Sequence, residues 1–94
     1  MGCGETSKVR PHENKAGDLY CKYEVTAKTG GGAIPIGSKI CIYCEDPAFN
    51  ASCDKSFTME VAKGMTYKLK KLSNSCEECD QEIINKGWVY EYVK

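Results

Sequence analysis

A strict alternation of apolar and polar residues runs through residues 19–28, and it narrows the possible folds more than any other feature. One face of this segment carries Leu19, Cys21, Tyr23, Val25 and Ala27. Successive side chains of a strand point to opposite faces, so a period of two predicts a half-buried β-strand. The pattern returns at 57–61 and 65–69, and also at 34–44, where Pro35 and Gly37 interrupt it. No segment shows the apolar stripe of an amphipathic helix.

Six short strands are predicted in all, because residues 82–84 and 88–93 add two more to the four above. Frequent turn signals between short strands are typical of a small β-sandwich or barrel. A chain of 94 residues has room for one domain, which we place at residues 19–94. Residues 1–18 are polar and lack periodicity, and they predict a flexible N-terminal arm.

Seven cysteines indicate that this small domain is held together by cross-links. Two C-x-x-C pairs, Cys41 with Cys44 and Cys76 with Cys79, also have the spacing of a four-cysteine zinc site. The first pair lies in a predicted strand, where positions three apart point to opposite faces. Separate disulfide partners therefore suit Cys41 and Cys44 better than one shared metal ion, although the zinc site remains an alternative.

The disulfide connectivity is not determined by the spacing of the cysteines, since an odd number allows about a hundred pairings. Our best pair is Cys21 with Cys76, which closes a long loop and adds about 4 kcal/mol in the entropic model. A weaker pair is Cys44 with Cys53, on either side of a loop. Cys3, in the predicted arm, is the natural unpaired cysteine.

Composition and motifs favour binding over catalysis. Thirteen basic and thirteen acidic residues give no net charge, which does not favour nucleic acid as a partner. No stretch is long and apolar enough for a membrane helix. His12 is the only histidine and lies in the predicted arm. The carboxylates fall in turns or on polar faces, so we predict no catalytic residues and no cofactor.

Two short motifs bear on where the protein works. Residues 1–6 (MGCGET) fit an acylation pattern with Gly2 and Cys3 as lipid sites, which would anchor an intracellular protein. Asn50 begins an N-glycosylation sequon, which fits a secreted protein.

Residues 19–93 resemble the MAX effectors, which are secreted virulence proteins of plant-pathogenic fungi. The resemblance rests on segments of the predicted strands and turns: LYCKY at 19–23, FTMEVAKG at 57–64, YKLK at 67–70, SC at 75–76 and IINKG at 83–87. It implies two packed three-stranded antiparallel sheets, so we expect a six-stranded, disulfide-stabilised β-sandwich. The longer spacing from Cys21 to Cys76 and the extra cysteines depart from the family pattern.

The resemblance also implies a secreted effector that binds a plant protein, inside or outside host cells, without catalysis. In some family members an exposed edge strand adds to the sheet of the partner. We expect the interrupted strand to be that edge, with Ile34, Ile36 and Lys39 at the contact, and the protein to be a monomer. Two alternatives remain: an intracellular zinc-stabilised interaction module with ligands Cys41, Cys44, Cys76 and Cys79, and a secreted antimicrobial toxin or inhibitor.

Overall fold

A computed structural model describes residues 6–44, 56–72 and 76–93, and in these ranges it contains six strands and one short helix. In chain order the elements are β1 (Thr6–Pro11), β2 (Tyr20–Thr29), β3 (Lys39–Tyr43), β4 (Ser56–Ala62), β5 (Met65–Lys71), α1 (Gln81–Lys86) and β6 (Val89–Tyr92). The all-β prediction is confirmed, and so is disulfide stabilisation. No helix in these ranges has the length and apolar character needed to cross a membrane.

The six strands close into one barrel, in the order β1-β4-β5-β2-β3-β6. The predicted sandwich of two three-stranded sheets is therefore wrong. The sheet is also mixed, since β1 pairs with β4 and β3 pairs with β6 in parallel. A parallel pair joins strands that are not connected by a hairpin, and local alternation does not reveal such a pairing.

The alternation at 19–28 predicts the inner face of the barrel correctly at Cys21, Tyr23 and Val25, but not at its start, where Leu19 is 44% exposed and Tyr20, on the opposite face, is buried. Cys21 and Val25 are fully buried, and Tyr23 is nearly so. The main core also takes residues from five other segments: Val9, Ile34, Ile40, Ile42, Met59, Tyr67 and Leu69. The predicted hairpin is present as well, with β4 and β5 antiparallel and Met59 opposite Tyr67. Side chains thus fill the barrel interior, as in other small barrels.

Residues 6–11 form β1, so the predicted flexible arm at 1–18 is wrong for this part of the chain. The strand lies between β4 and β6 and closes the barrel. Only Val9 of β1 is buried, and for this reason the segment shows no alternation in the sequence.

The fifth strand predicted at 82–84 is instead part of the helix α1. Gly87 ends this helix in the left-handed conformation with φ 78°, and its amide nitrogen donates to the carbonyl oxygens of Ile83 and Ile84. Only Ile83 of α1 is buried. A six-residue helix with one buried position is too short to show a helical period.

The predicted edge strand at 34–43 is wrong, because β3 pairs with β2 on one side and with β6 on the other. Ile34 and Ile36 lie outside the strand, in the connection between β2 and β3. Ile34 points into the core and is 3% exposed, whereas Ile36 is 60% exposed. Lys39, the first residue of β3, is exposed.

Candidate functional site

Two disulfides connect β3, and the residue that directly follows it, to the segment that leads into α1. Cys41 is bonded to Cys79, and Cys44 is bonded to Cys76. As the strand geometry predicts, residues 41 and 44 have different partners. Cys41 is buried with Tyr20, Ile83 and Val89 beneath the helix, whereas Cys44 packs against the main barrel core. The disulfides therefore fasten the helical segment to two separate hydrophobic clusters.

The predicted disulfide pairings need correction. Cys76 is bonded to Cys44, which excludes both Cys21–Cys76 and Cys44–Cys53 in this form of the protein. Cys21 is a free, buried thiol. The alternative zinc ligands, Cys41, Cys44, Cys76 and Cys79, are paired here as disulfides, and it is the thiolate that ligates a metal. Cys3, Cys53, the acylation motif and the Asn50 sequon lie outside the described residues.

Three sulfur atoms come together where β2 passes the Cys44–Cys76 bond. The Sγ atoms of Cys21, Cys44 and Cys76, here called the sulfur cluster, all lie within 4.8 Å of one another. The Cys21 and Cys44 sulfurs are 3.7 Å apart. Local pairing explains this proximity, since Tyr20 and Glu77 exchange two backbone hydrogen bonds and draw residue 76 alongside β2.

A buried lysine accompanies the sulfur cluster. Lys71, at the end of β5, pairs with Tyr23 of β2 and is 7% exposed. Its Nζ atom is buried and has no hydrogen-bond partner in the described part of the chain. Burial raises the pKa of the Cys21 thiol, the positive charge of Lys71 lowers it, and the negative charge of Glu77 raises it again, so that the pKa is raised overall. Burying an ammonium group without a hydrogen-bond partner costs free energy, so the placement of Lys71 near the Cys21 thiol bears on the chemistry of that thiol.

A second polar cluster surrounds His12, the residue just after β1. Its Nδ1 atom lies 2.5 Å from Oε1 of Glu91 in β6, and its Nε2 atom lies 2.9 Å from Oδ2 of Asp18. The ring stacks on Tyr43 with 4.4 Å between centroids. The sequence predicts that His12 lies in a flexible arm. In the structure, His12 instead connects the end of β1 to β6 through Glu91 and to the loop before β2 through Asp18. We call His12, Asp18 and Glu91 the His12 clamp.

Charge stabilises the His12 clamp. Burial alone lowers the pKa of His12, but hydrogen bonds and ion pairs with Glu91 and Asp18 outweigh this effect, and the pKa is raised. Hydrogen bonding to His12 in turn lowers the pKa of both carboxyl groups. Ionised carboxylates only accept hydrogen bonds, so a doubly protonated imidazolium satisfies both partners at once. With both nitrogens occupied, His12 has no free position for a substrate.

Comparison with known proteins gives no further identification: no protein-family model matches the chain, and no curated protein or solved structure does so either. The resemblance to the MAX effectors therefore remains a hypothesis from the sequence.

Proposed function

We propose that this chain is a secreted, disulfide-stabilised protein that acts by binding a host protein and not by catalysis. The pair of disulfides at 41–79 and 44–76 carries the proposal. Such bonds form and persist in oxidising compartments, and they are rare in the cytosol, where thiols are kept reduced. The resemblance to the MAX effectors supplies the class of partner, a plant protein, and the role of a virulence effector.

The geometry of the only histidine supports a role without catalysis. A general base needs a nitrogen that reaches the substrate proton. Both nitrogens of His12 face carboxylates, and its ring stacks on Tyr43 and contacts the edge of Tyr20. Such an arrangement is typical of a structural ion pair that holds a loop in place.

The proposed contact surface lies around Ile36. This side chain is 60% exposed in the connection between β2 and β3, and the charged Lys39 follows it at the start of β3. A single exposed aliphatic residue beside a charge suits a small, side-chain-mediated contact. Because β3 already has neighbours on both sides, we propose that binding uses these side chains and not strand addition.

The secretion half of the proposal is tested by intact mass with and without reductant, together with a zinc assay. The two described disulfides predict a gain of at least about 4 Da on reduction, since each reduced bond takes up two hydrogen atoms. The sample is the full chain, made once through a secretory pathway and once in a reducing cytosol. A stable, reduced form with one bound zinc would instead support the intracellular zinc module.

The binding half is tested by proximity labelling in plant tissue, followed by calorimetry with each purified candidate. We expect Ile36→Asp to weaken binding at least about tenfold, the loss of one well-placed contact. Leu72→Asp is the matched control, because Leu72 is an exposed aliphatic residue outside this surface. Equal weakening by both variants, or by neither, contradicts the proposed surface.

A further inference from the structure

The sulfur cluster holds one more sulfur than a disulfide needs. Cys21 is fully buried and free, yet it lies beside an intact bond between Cys44 and Cys76. A structural cysteine in an apolar core is normally inert. Here the thiol has a disulfide within 3.7 Å, measured between the sulfurs of Cys21 and Cys44. The other sulfur of that bond, Sγ of Cys76, lies within 4.8 Å of the Cys21 sulfur, and such proximity is what thiol–disulfide exchange requires.

Strand register favours a second pairing. Tyr20 and Glu77 form an antiparallel bridge, in which the Tyr20 amide donates to the Glu77 carbonyl at 2.6 Å and the Glu77 amide donates back at 2.8 Å. Continued by one residue, this register places Cys21 opposite Cys76, and their Sγ atoms lie within 4.8 Å of each other. A pair without mutual backbone hydrogen bonds has its Cα atoms about 4.5 Å apart, which is within the range that a disulfide spans.

The sulfur of Cys44 is 3.7 Å from that of Cys21, but the backbone of Cys44 is less well placed for a Cys21–Cys44 bond. Residue 21 is opposite Ile42 in the pairing of β2 with β3, so Cys44 occupies a diagonal position two residues further along. Diagonal neighbours in a sheet are about 7–8 Å apart, beyond the usual disulfide range. Of the two alternative bonds that Cys21 can form, the register selects the one to Cys76.

We propose that Cys21 exchanges with the Cys44–Cys76 disulfide, so that the protein has a second isomer with a Cys21–Cys76 bond and a free Cys44 thiol. Cys21 first gives up its proton to a hydroxide ion that enters the buried site from solvent, which leaves a thiolate and a water molecule. Its thiolate then attacks Sγ of Cys76, the Cys21–Cys76 bond forms and the Cys44–Cys76 bond breaks. The electron pair of the broken bond remains on Cys44, which takes up a proton, so the step needs neither an oxidant nor a reductant.

The positive charge of Lys71 favours the thiolate form of Cys21. The attacking species is the thiolate, and a nearby ammonium favours it. Lys71 is buried, has no hydrogen-bond partner among the described residues, and is close enough for its charge to favour a Cys21 thiolate, an effect that the negative charge of Glu77 opposes.

Exchange changes which thiol can be reached. Cys21 is fully buried, whereas Cys44 follows the last residue of β3 and is partly exposed. The second isomer therefore presents a thiol at the barrel surface, where a small disulfide or a cysteine of a partner can form a mixed disulfide with it. This activity goes beyond non-covalent binding and does not depend on it.

Cysteine variants test whether the second pairing is compatible with the fold. In Cys44→Ser, the inference expects a Cys21–Cys76 bond, found by mapping unreduced peptides, in a folded and stable protein. In the matched variant Cys76→Ser, we expect Cys21 and Cys44 to remain mainly as free thiols because of their diagonal placement. Free, alkylatable Cys21 and Cys76 in a folded Cys44→Ser protein would overturn the proposal.

A time course tests exchange in the wild-type protein. The native chain is held at about pH 8.5, near the pKa of an ordinary thiol, then quenched in acid, denatured and labelled with a maleimide. We expect label to move from Cys21 to Cys44, with Cys3 and Cys53 quantified as separate peptides. Label confined to Cys21 after a day contradicts the inference.

Matched lysine variants test the role of the ammonium. Lys71→Met removes the buried charge, and we expect exchange to slow by about tenfold. Lys70→Met, one residue earlier and exposed, serves as the control and leaves the rate unchanged. Equal rates in both variants would remove Lys71 from the mechanism.

Discussion

The two disulfides are nested, and their contributions to stability should therefore not be additive. The Cys44–Cys76 bond lies inside the loop that Cys41–Cys79 closes, with sequence separations of 32 and 38. Taken alone, each bond contributes about 4 kcal/mol in the loop-entropy model. Once the inner bond is present, the outer bond closes only the ring formed by residues 41–44 and 76–79, and its contribution falls to about 2.5 kcal/mol.

The perturbation is removal of each disulfide as a pair of alanines. Removing both bonds should cost about 1.4 kcal/mol more than the sum of the two separate losses, because either remaining bond keeps most of the loop constraint. The cost of losing each sulfur in the core occurs both in the pair variants and in the four-alanine variant, so it cancels from the comparison.

Urea denaturation of the wild type, C41A/C79A, C44A/C76A and the four-alanine variant measures the effect. If the four-alanine variant is too unstable, all four proteins are compared in the same sulfate-stabilised buffer. Additive losses, or a combined loss smaller than the sum, would refute the nested-loop reasoning. Such a result would mean that packing, and not loop closure, determines what the disulfides contribute.

Three further variants test local features. In the His12 clamp, the pKa of His12 is higher in the folded protein than in the unfolded chain. The clamp therefore contributes its full stability below about pH 6.5 and loses it as the pH rises through the pKa of the folded protein. We expect the melting temperature of the wild type to fall over that pH range, and His12→Gln to abolish this fall. Tyr67→Phe removes the hydroxyl that accepts from the buried amide of Ile34 at 3.2 Å, and we expect a loss of about 1–3 kcal/mol by urea denaturation. Gly87→Ala places a side chain at φ 78°, and its cost of about 1 kcal/mol should be largely recovered in Gly87→Asn.

The sequence predicts the strands that have one buried and one exposed face. Residues 19–28 and the hairpin at 57–69 are of this kind, and their alternation gave both their positions and their inward faces. The strand β1 was missed because Val9 is its only buried side chain. The helix α1 was missed because one buried residue, Ile83, shows no period.

The sulfur cluster and the His12 clamp were beyond sequence reasoning for a different reason. Both depend on register between segments far apart in the chain, such as Tyr20 with Glu77 and Arg10 with Glu91. The prediction that Cys41 and Cys44 have separate partners needed only local strand geometry, and the structure confirms it. The partner of each cysteine depends on barrel closure, and nothing in the local pattern encodes it.

Barrel closure also has a consequence for how the chain matures. The strand β6 lies between β3 and β1, so among the six described strands the one latest in chain order completes the pairing of the earliest. The native barrel therefore cannot form while residues 89–92 are still inside the ribosome. Mixed, long-range pairing of this kind folds slowly, which lengthens the interval in which wrong disulfides form and oxidative folding catalysts act.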